Sequence, residues 1–204
     1  MLHPTEAVKS AERCQRNWDH SRPILEEDIK KIVDVATTMP TKNNREYYEL
    51  IVSTNPDFNR LCYEYSIDPR NEHFKDRKIH RNTQVDAPLV IIWKPASLED
   101  LDNPFNDNFL KDYHISIGIS SGASVLTANQ MGYKTGYCGC IEENGLFDTI
   151  EKNYNISTKN RFDALIVGFG YPNENFDRKD CVLDGEHGYT AETVDKNINV
   201  KYVK

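Results

Sequence analysis

Apolar residues in this chain recur at helical spacing in some stretches and alternate or run together in others. Ala7 to Trp18 reads as a first helix, with Glu12, Arg13 and Arg16 on it or at its end. Pro23-Ile24-Leu25 and three following acids open a second helix, predicted over Leu25–Thr38 with Ile29, Ile32, Val33 and Ala36 as its buried stripe. Tyr47 to Thr54, rich in aromatic and β-branched residues, predicts a strand, and Asn55–Tyr65 a third helix carrying Phe58, Leu61 and Cys62. The continuous run Leu89–Trp93 predicts a strand buried on both faces. Phe109 to Met131 is the longest stretch without a breaker, with Ile115, Ile119, Gly122, Leu126 and Asn129 on one helical face. Gly118, Ser120, Ser121, Ala123 and Ala128 keep that helix slim enough for a sheet, a ligand or its own twin to approach. Arg161–Gly170 predicts a third buried strand, and the alternating Asn197–Val203 a last one. Asp68–Asn82, mixed in charge, reads as a surface loop or short helix, and Lys94–Asn108 as polar and turn-rich. Helices and strands mix without strict alternation, repeat or internal boundary. The expectation is one α+β domain over residues 1–204 rather than a doubly wound sheet.

Composition narrows the function classes. With 204 residues, 38% hydrophobic and 28% charged, the chain can fill a core. A net charge of −7 and no long basic run argue against nucleic acid or a membrane surface as partner. Five cysteines at irregular spacing, with no CxxC pair, argue against a disulfide framework and a zinc site. The first residues lack the apolar core of a signal peptide, no stretch is long enough to span a membrane, and a cytoplasmic location is expected.

Candidate chemistry centres on Met39–Thr54. Pro40-Thr41-Lys42-Asn43-Asn44-Arg45 is a polar, turn-forming loop between a helix and a strand, the placement in which a scaffold presents groups to a polar ligand. Arg13, Arg16, Arg178 and Lys179 are cations able to enclose an anion such as phosphate. Gly118-Ile119-Ser120-Ser121-Gly122 fits the G-x-S-x-G elbow of serine hydrolases, and Asp163 or Asp180 followed by His187 keeps the triad order. The alternative is that these are small residues on a packed helix face. Cys138-Gly139-Cys140 is a redox pair or a loop where backbone comes close to something. No two histidines share metal-ligand spacing, so no metal site is expected, and no G-x-G-x-x-G or Walker motif occurs.

Taken in order, these segments resemble the flavin-dependent nitroreductase family. Arg13-Cys14-Gln15-Arg16-Asn17-Trp18 resembles its opening R-S-x-R-x-F, and Pro40–Val52 its P-S-S-x-N-x-Q-P-W-x-F-I-V. Asn82–Pro88 is similar to its N-x-Q-x-x-A-P strand entry, Ser116–Gly132 to its long helix, Gly132–Cys140 to its G-L-G-T-x-W-x-G-G turn, and Val167–Pro172 with Arg178-Lys179 to its closing strand and basic residue. Glu12, Cys14, Lys42, Glu46-Tyr47 and Cys140 depart from the pattern.

The resemblance implies a nitroreductase-like fold: a central mixed sheet flanked by helices, a long helix at a homodimer interface, and a C-terminal strand crossing onto the partner subunit. It implies FMN as cofactor, with Arg13, together with Arg178 or Lys179, on its phosphate and Arg16 at the O2/N1 edge of the ring. Cys14, Gln15, Pro40, Thr41, Lys42, Asn44, Asn82 and its rival Gln84 are the other implied contacts. Cys138, Gly139 and Cys140 would face N5. No side chain is assigned as acid or base, because flavin N5 carries the chemistry. The implied activity is ping-pong transfer from NADH or NADPH to an electron-poor small molecule: a nitroaromatic, quinone or activated alkene. A specialised flavin reaction (dehalogenation, flavin breakdown or dehydrogenation), a Ser120 hydrolase, and a non-catalytic flavin-binding module are the alternatives.

Overall fold

The computed structural model describes residues 2–67, 80–96, 107–158, 162–193, 195–196 and 198–203. Most of the charged Asp68–Asn82 segment and the middle of Lys94–Asn108 lie outside them. The described elements are helix α1 (Pro4–Ala11), α2 (Glu26–Thr38), strand β1 (Tyr48–Ser53), α3 (Pro56–Glu64), β2 (Leu89–Pro95), α4 (Asp107–Gln130), β3 (Lys134–Cys138), α5 (Glu143–Tyr154), β4 (Leu165–Gly170) and a hairpin of β5 (Asp180–Leu183) and β6 (Glu186–Thr190). Two single 3₁₀ turns, Lys42–Asn44 and Thr83–Val85, complete the set. None of the described helices is long and apolar enough to cross a membrane.

Four strands form the central sheet in the order β1-β2-β4-β3. Every described pairing in it is antiparallel, where the family resemblance implies a mixed sheet. β2 lies inside, and all seven of its residues are buried. Its side chains divide the core. Leu89, Ile91 and Trp93 meet α2 and α4 on one face, while Val90 and Ile92 meet α3 and α5 on the other. A strand covered on both faces has no polar side to show, which is why this segment is a continuous apolar run.

α4 owes its close packing to serines. Ser120 Oγ donates to the Ala36 carbonyl of α2 at 2.7 Å and accepts from Trp93 Nε1 at 2.8 Å, and Ser124 Oγ donates to Ser120 O at 3.0 Å. Two helices and a strand are thereby tied at one buried point. The predicted α4 stripe is only partly a face of its own. Ile115, Ile119 and Leu126 are exposed, whereas Asn129 is fully buried and donates to Val125 O and Thr135 Oγ1.

α1 stops at Ala11, seven residues short of the predicted Trp18. The backbone N–H groups of Gln15 and Arg16 bond to Thr135 O at 2.8 Å and Arg178 O at 3.0 Å instead of to helical carbonyls, so residues beyond the helix run alongside β3. α3 begins where expected because Asn55 caps it, accepting from Asp57 N and Phe58 N, with Pro56 in its first turn. Residues 198–203 form no strand within the single chain, and Ile198, Val200, Tyr202 and Val203 are exposed.

Asp28 in α2 accepts from Lys31 Nζ and Tyr133 OH, each at 2.8 Å, and these bonds hold its carboxyl below the usual carboxylate range. A depressed folded-state pKa adds stability above the unfolded value that is lost as pH falls through the folded one. Tyr133→Phe is therefore expected to lower stability by about 1.5–3 kcal/mol at pH 7, the worth of a hydrogen bond to a charged acceptor. Below about pH 3, where an unfolded aspartate is protonated, the loss should shrink. Urea titrations at the two pH values measure both.

Candidate functional site

Three separate pieces of chain meet around Arg16. Residues 13–18 lie along β3, where Tyr137 N approaches Cys14 Sγ at 3.4 Å. The Thr83–Val85 turn sits above the sheet, and Thr83 Oγ1 donates to Arg16 O at 2.6 Å. The 177–180 loop supplies the Arg178 carbonyl that accepts from Arg16 N at 3.0 Å. Gln84 Nε2 donates to Tyr137 O at 2.9 Å, which closes the ring of contacts.

Glycines allow this stacking. Gly136 of β3 and Gly168 of β4 are register partners. A Cβ on Gly168 would lie 2.1 Å from Gln84 O, and one on Gly136 would lie 2.5 Å from Gln15 O. Any other residue at either position would push the turn or the 13–18 segment off the sheet.

The site is marked by polar atoms with nothing to bond. Among the described residues, Arg16 Nε, Arg178 Nη1, Asn82 Nδ2 and Gln84 Oε1 are buried without a hydrogen-bond partner. All four belong to residues that the sequence singles out. Leaving one such group unsatisfied costs about 1–3 kcal/mol, more when it is charged, so four together call for a ligand. The set is three donors, two of them cationic, and one acceptor.

The other candidate residues are engaged differently. Gln15 is buried with its amide nitrogen on Asn17 O and Oδ1, both at 2.7 Å. Arg13 pairs with Asp195 and donates to Thr193 Oγ1 at 3.0 Å, tying the start of the chain to the stretch after β6. Lys179 is half-buried beside Arg178, and its carbonyl accepts from Ala191 N. Cys138 is buried at the end of β3, and its thiol is raised well above its ordinary range by the neighbouring Cys140 thiol and by burial. Gly139 and Cys140 are exposed, with open space where a Gly139 Cβ would stand.

The Pro40–Asn44 loop lies apart from this cluster in the single chain. Asn43 and Asn44 both hold positive φ, a backbone that asparagine tolerates. Thr41 Oγ1 closes the loop on Arg45 O at 2.7 Å, and Lys42 pairs with Asp112 of α4 at 2.8 Å. The Arg16 cluster meets α4 further along, where Ser121 bonds to the Tyr137 hydroxyl. From Asp112 to Ser121 is nine residues, about 13 Å of helix. Burial pushes that Tyr137 hydroxyl up to about 12.

The hydrolase reading does not survive. Ser120 lies within α4, not on a strand-to-helix elbow, and its hydroxyl is fully buried between Ala36 O and Trp93. His187 faces Asp180 on the β5–β6 hairpin. Sequence reasoning missed Thr83 and Tyr137, which orient Arg16 and Gln84. Both lay inside stretches that resemble family motifs, Asn82–Pro88 and Gly132–Cys140, but their contacts to Arg16 and Gln84 form only in the fold.

No protein-family model matches the chain, and no curated protein matches it. Solved structures do. A nitroreductase family protein from Clostridium novyi NT superposes with a TM-score of 0.64 at 19% identity, over 87% of this chain and 90% of that one. The chain has the fold of the nitroreductase family. Two further structures with this nitroreductase fold each give a TM-score of 0.63 at 15% identity over 85% of this chain. One is a protein assigned as an NAD(P)H:FMN oxidoreductase, from Staphylococcus epidermidis ATCC 12228, 88% covered. The other is an enone reductase of gut-bacterial fatty acid biohydrogenation, 90% covered.

Proposed function

We propose that the chain is an FMN-dependent oxidoreductase that passes electrons from NADH or NADPH to an electron-poor small molecule and works as a homodimer. The observation that carries this reading is the set of four unpartnered atoms. The pyrimidine end of a flavin offers carbonyl oxygens and a ring nitrogen to donors and one N–H to an acceptor. Arg16 Nε, Arg178 Nη1 and Asn82 Nδ2 are donors, and Gln84 Oε1 is an acceptor, so the residues fit the group. Bound FMN would supply reversible two-electron chemistry.

The chain's own part is binding and electrostatics. Arg16 and Arg178 bring positive charge toward an edge that becomes negative on reduction, a stabilisation worth most where water is excluded. Gln84 is locked by Tyr137 O, so its oxygen is left to accept an N–H. Arg13 and Lys179 would hold the phosphate, and Arg13 would have to leave Asp195 to do so. The neighbouring Cys140 thiol and burial both push the Cys138 thiol up, which disfavours a thiolate there.

The dimer is supported by two features. α4 exposes Ile115, Ile119 and Leu126 in a row with Gly118 and Gly122, both of which have open space around them. The Pro40–Asn44 loop, remote from Arg16 in its own chain, would complete the site of a second copy across that face.

The purified full chain is expected to be yellow, to release about one FMN per chain on denaturation, and to bleach with NADH or NADPH in the absence of air. Colourless protein that takes up no added FMN would overturn the reading.

A further inference from the structure

Away from the Arg16 cluster, a cleft of about 960 Å³ lies between the approach to α2, the first turns of α3 and the loop entering β2. Its walls are mainly apolar, from Ile24, Ile29, Pro56 and Pro88. Its polar groups are mostly acceptors. Asn59, only 2% exposed, donates its amide nitrogen to Ala87 O at 2.7 Å, which leaves Oδ1 buried with no partner among the described residues. Asp86 is 5% exposed. Its carboxylate pairs with Arg60 Nε at 3.4 Å and lies 3.9 Å from His20 Nε2. Arg60 is committed elsewhere, since both its terminal nitrogens are on Asp184, at 2.8 and 3.2 Å.

We propose that this cleft is a second ligand site, separate from the Arg16 cluster, for a small organic cation: an amine or amidine on an apolar body. A buried carboxylate that has only the Nε of an arginine shared with Asp184, and a buried carbonyl with no donor among the described residues, both call for N–H groups. The surrounding Ile24, Ile29 and Pro88 call for hydrocarbon. An anionic ligand is disfavoured, because Asp184 already neutralises Arg60 and Asp86 would repel it. A protein segment is disfavoured because the polar groups, on Asn59 and Asp86, are almost fully buried.

Benzamidine and its neutral near-isostere benzamide are the probes, added to the full chain as purified. In ¹⁵N-labelled protein benzamidine is expected to shift the Asn59 side-chain amide and the Ala87 backbone amide, and to bind at least tenfold tighter than benzamide by calorimetry. Asp86→Asn should erase that preference. Thr54→Trp, placed at the exposed rim, should weaken both probes while leaving the thermal midpoint unchanged. Equal binding of the two probes, no binding of either, or undiminished preference in Asp86→Asn would overturn the proposal. If Asp86→Asn does not fold, the probe pair and Thr54→Trp decide alone: shifts that persist in Thr54→Trp would place the binding elsewhere and refute the site.

Discussion

Arg16→Ala is expected to weaken FMN retention by ten- to a hundredfold. One charge-assisted hydrogen bond is worth about 1.5–3 kcal/mol, and each 1.4 kcal/mol is a factor of ten. The fold should persist. The bonds that seat this segment, Arg16 N to Arg178 O and Thr83 Oγ1 to Arg16 O, use the backbone of residue 16 and survive truncation of its side chain. In flavin-free protein the substitution should leave the thermal midpoint the same or slightly higher, since it removes a buried nitrogen that has no partner. Quenching of free FMN fluorescence gives the affinity. Wild-type affinity would remove Arg16 from the site. A fall in both affinity and flavin-free stability would mean that its role is structural.

Gly168→Ala should be among the most damaging single changes available to this chain, lowering stability by about 3 kcal/mol or more, as overpacking against rigid backbone does. The added carbon would meet Gln84 O at 2.1 Å and Ala87 Cβ at 2.8 Å, and neither is the free end of a flexible side chain. Relief requires lifting the Thr83–Val85 turn, and with it Gln84 and the Thr83 bond to Arg16. Flavin affinity should therefore fall together with the denaturation midpoint. Gly139→Ala is the control. Nothing lies within 4 Å of its Cβ position, so its midpoint should stay within about 0.5 kcal/mol of wild type. Equal midpoints for the two variants would show that the turn is not seated on the strand.

The sequence disclosed elements whose pattern is set by burial alone. α2 carries its apolar stripe at regular spacing, β2 is apolar throughout, and α4 is long and free of breakers. β3 stayed hidden because Lys134-Thr135-Gly136-Tyr137-Cys138 has no apolar alternation, its glycine being dictated by what rests on it. α5 has only Leu146, Phe147 and Ile150 to bury, with Gly145 in its first turn. The β5–β6 hairpin did leave a signal. Asp184 and Gly185 both take positive φ, as a two-residue turn requires, and the Asp-Gly pair is its usual sequence sign. At the site, the basic and amide residues could be picked from their order along the chain. Which of their atoms are unsatisfied could not, because that depends on partners such as Tyr137 O and Arg178 O, supplied by distant backbone. The cleft around Asp86 was invisible for the same reason: Arg60, Asp184 and His20 converge only in three dimensions.

The strand order has a kinetic meaning. No two neighbours in the central sheet are joined by a tight turn: α3 intervenes between β1 and β2, α5 between β3 and β4, and all of α4, β3 and α5 between β2 and β4. No part of the sheet can therefore zip up locally, and each pairing must wait for a long loop to close. Folding should begin in α2 and α4, whose contacts within each helix are local, and reach the sheet late. Refolding is then expected on the slow scale typical of non-local topologies, milliseconds to seconds. In that interval the apolar β2 strand lacks its partners, and it is the segment through which aggregation would start.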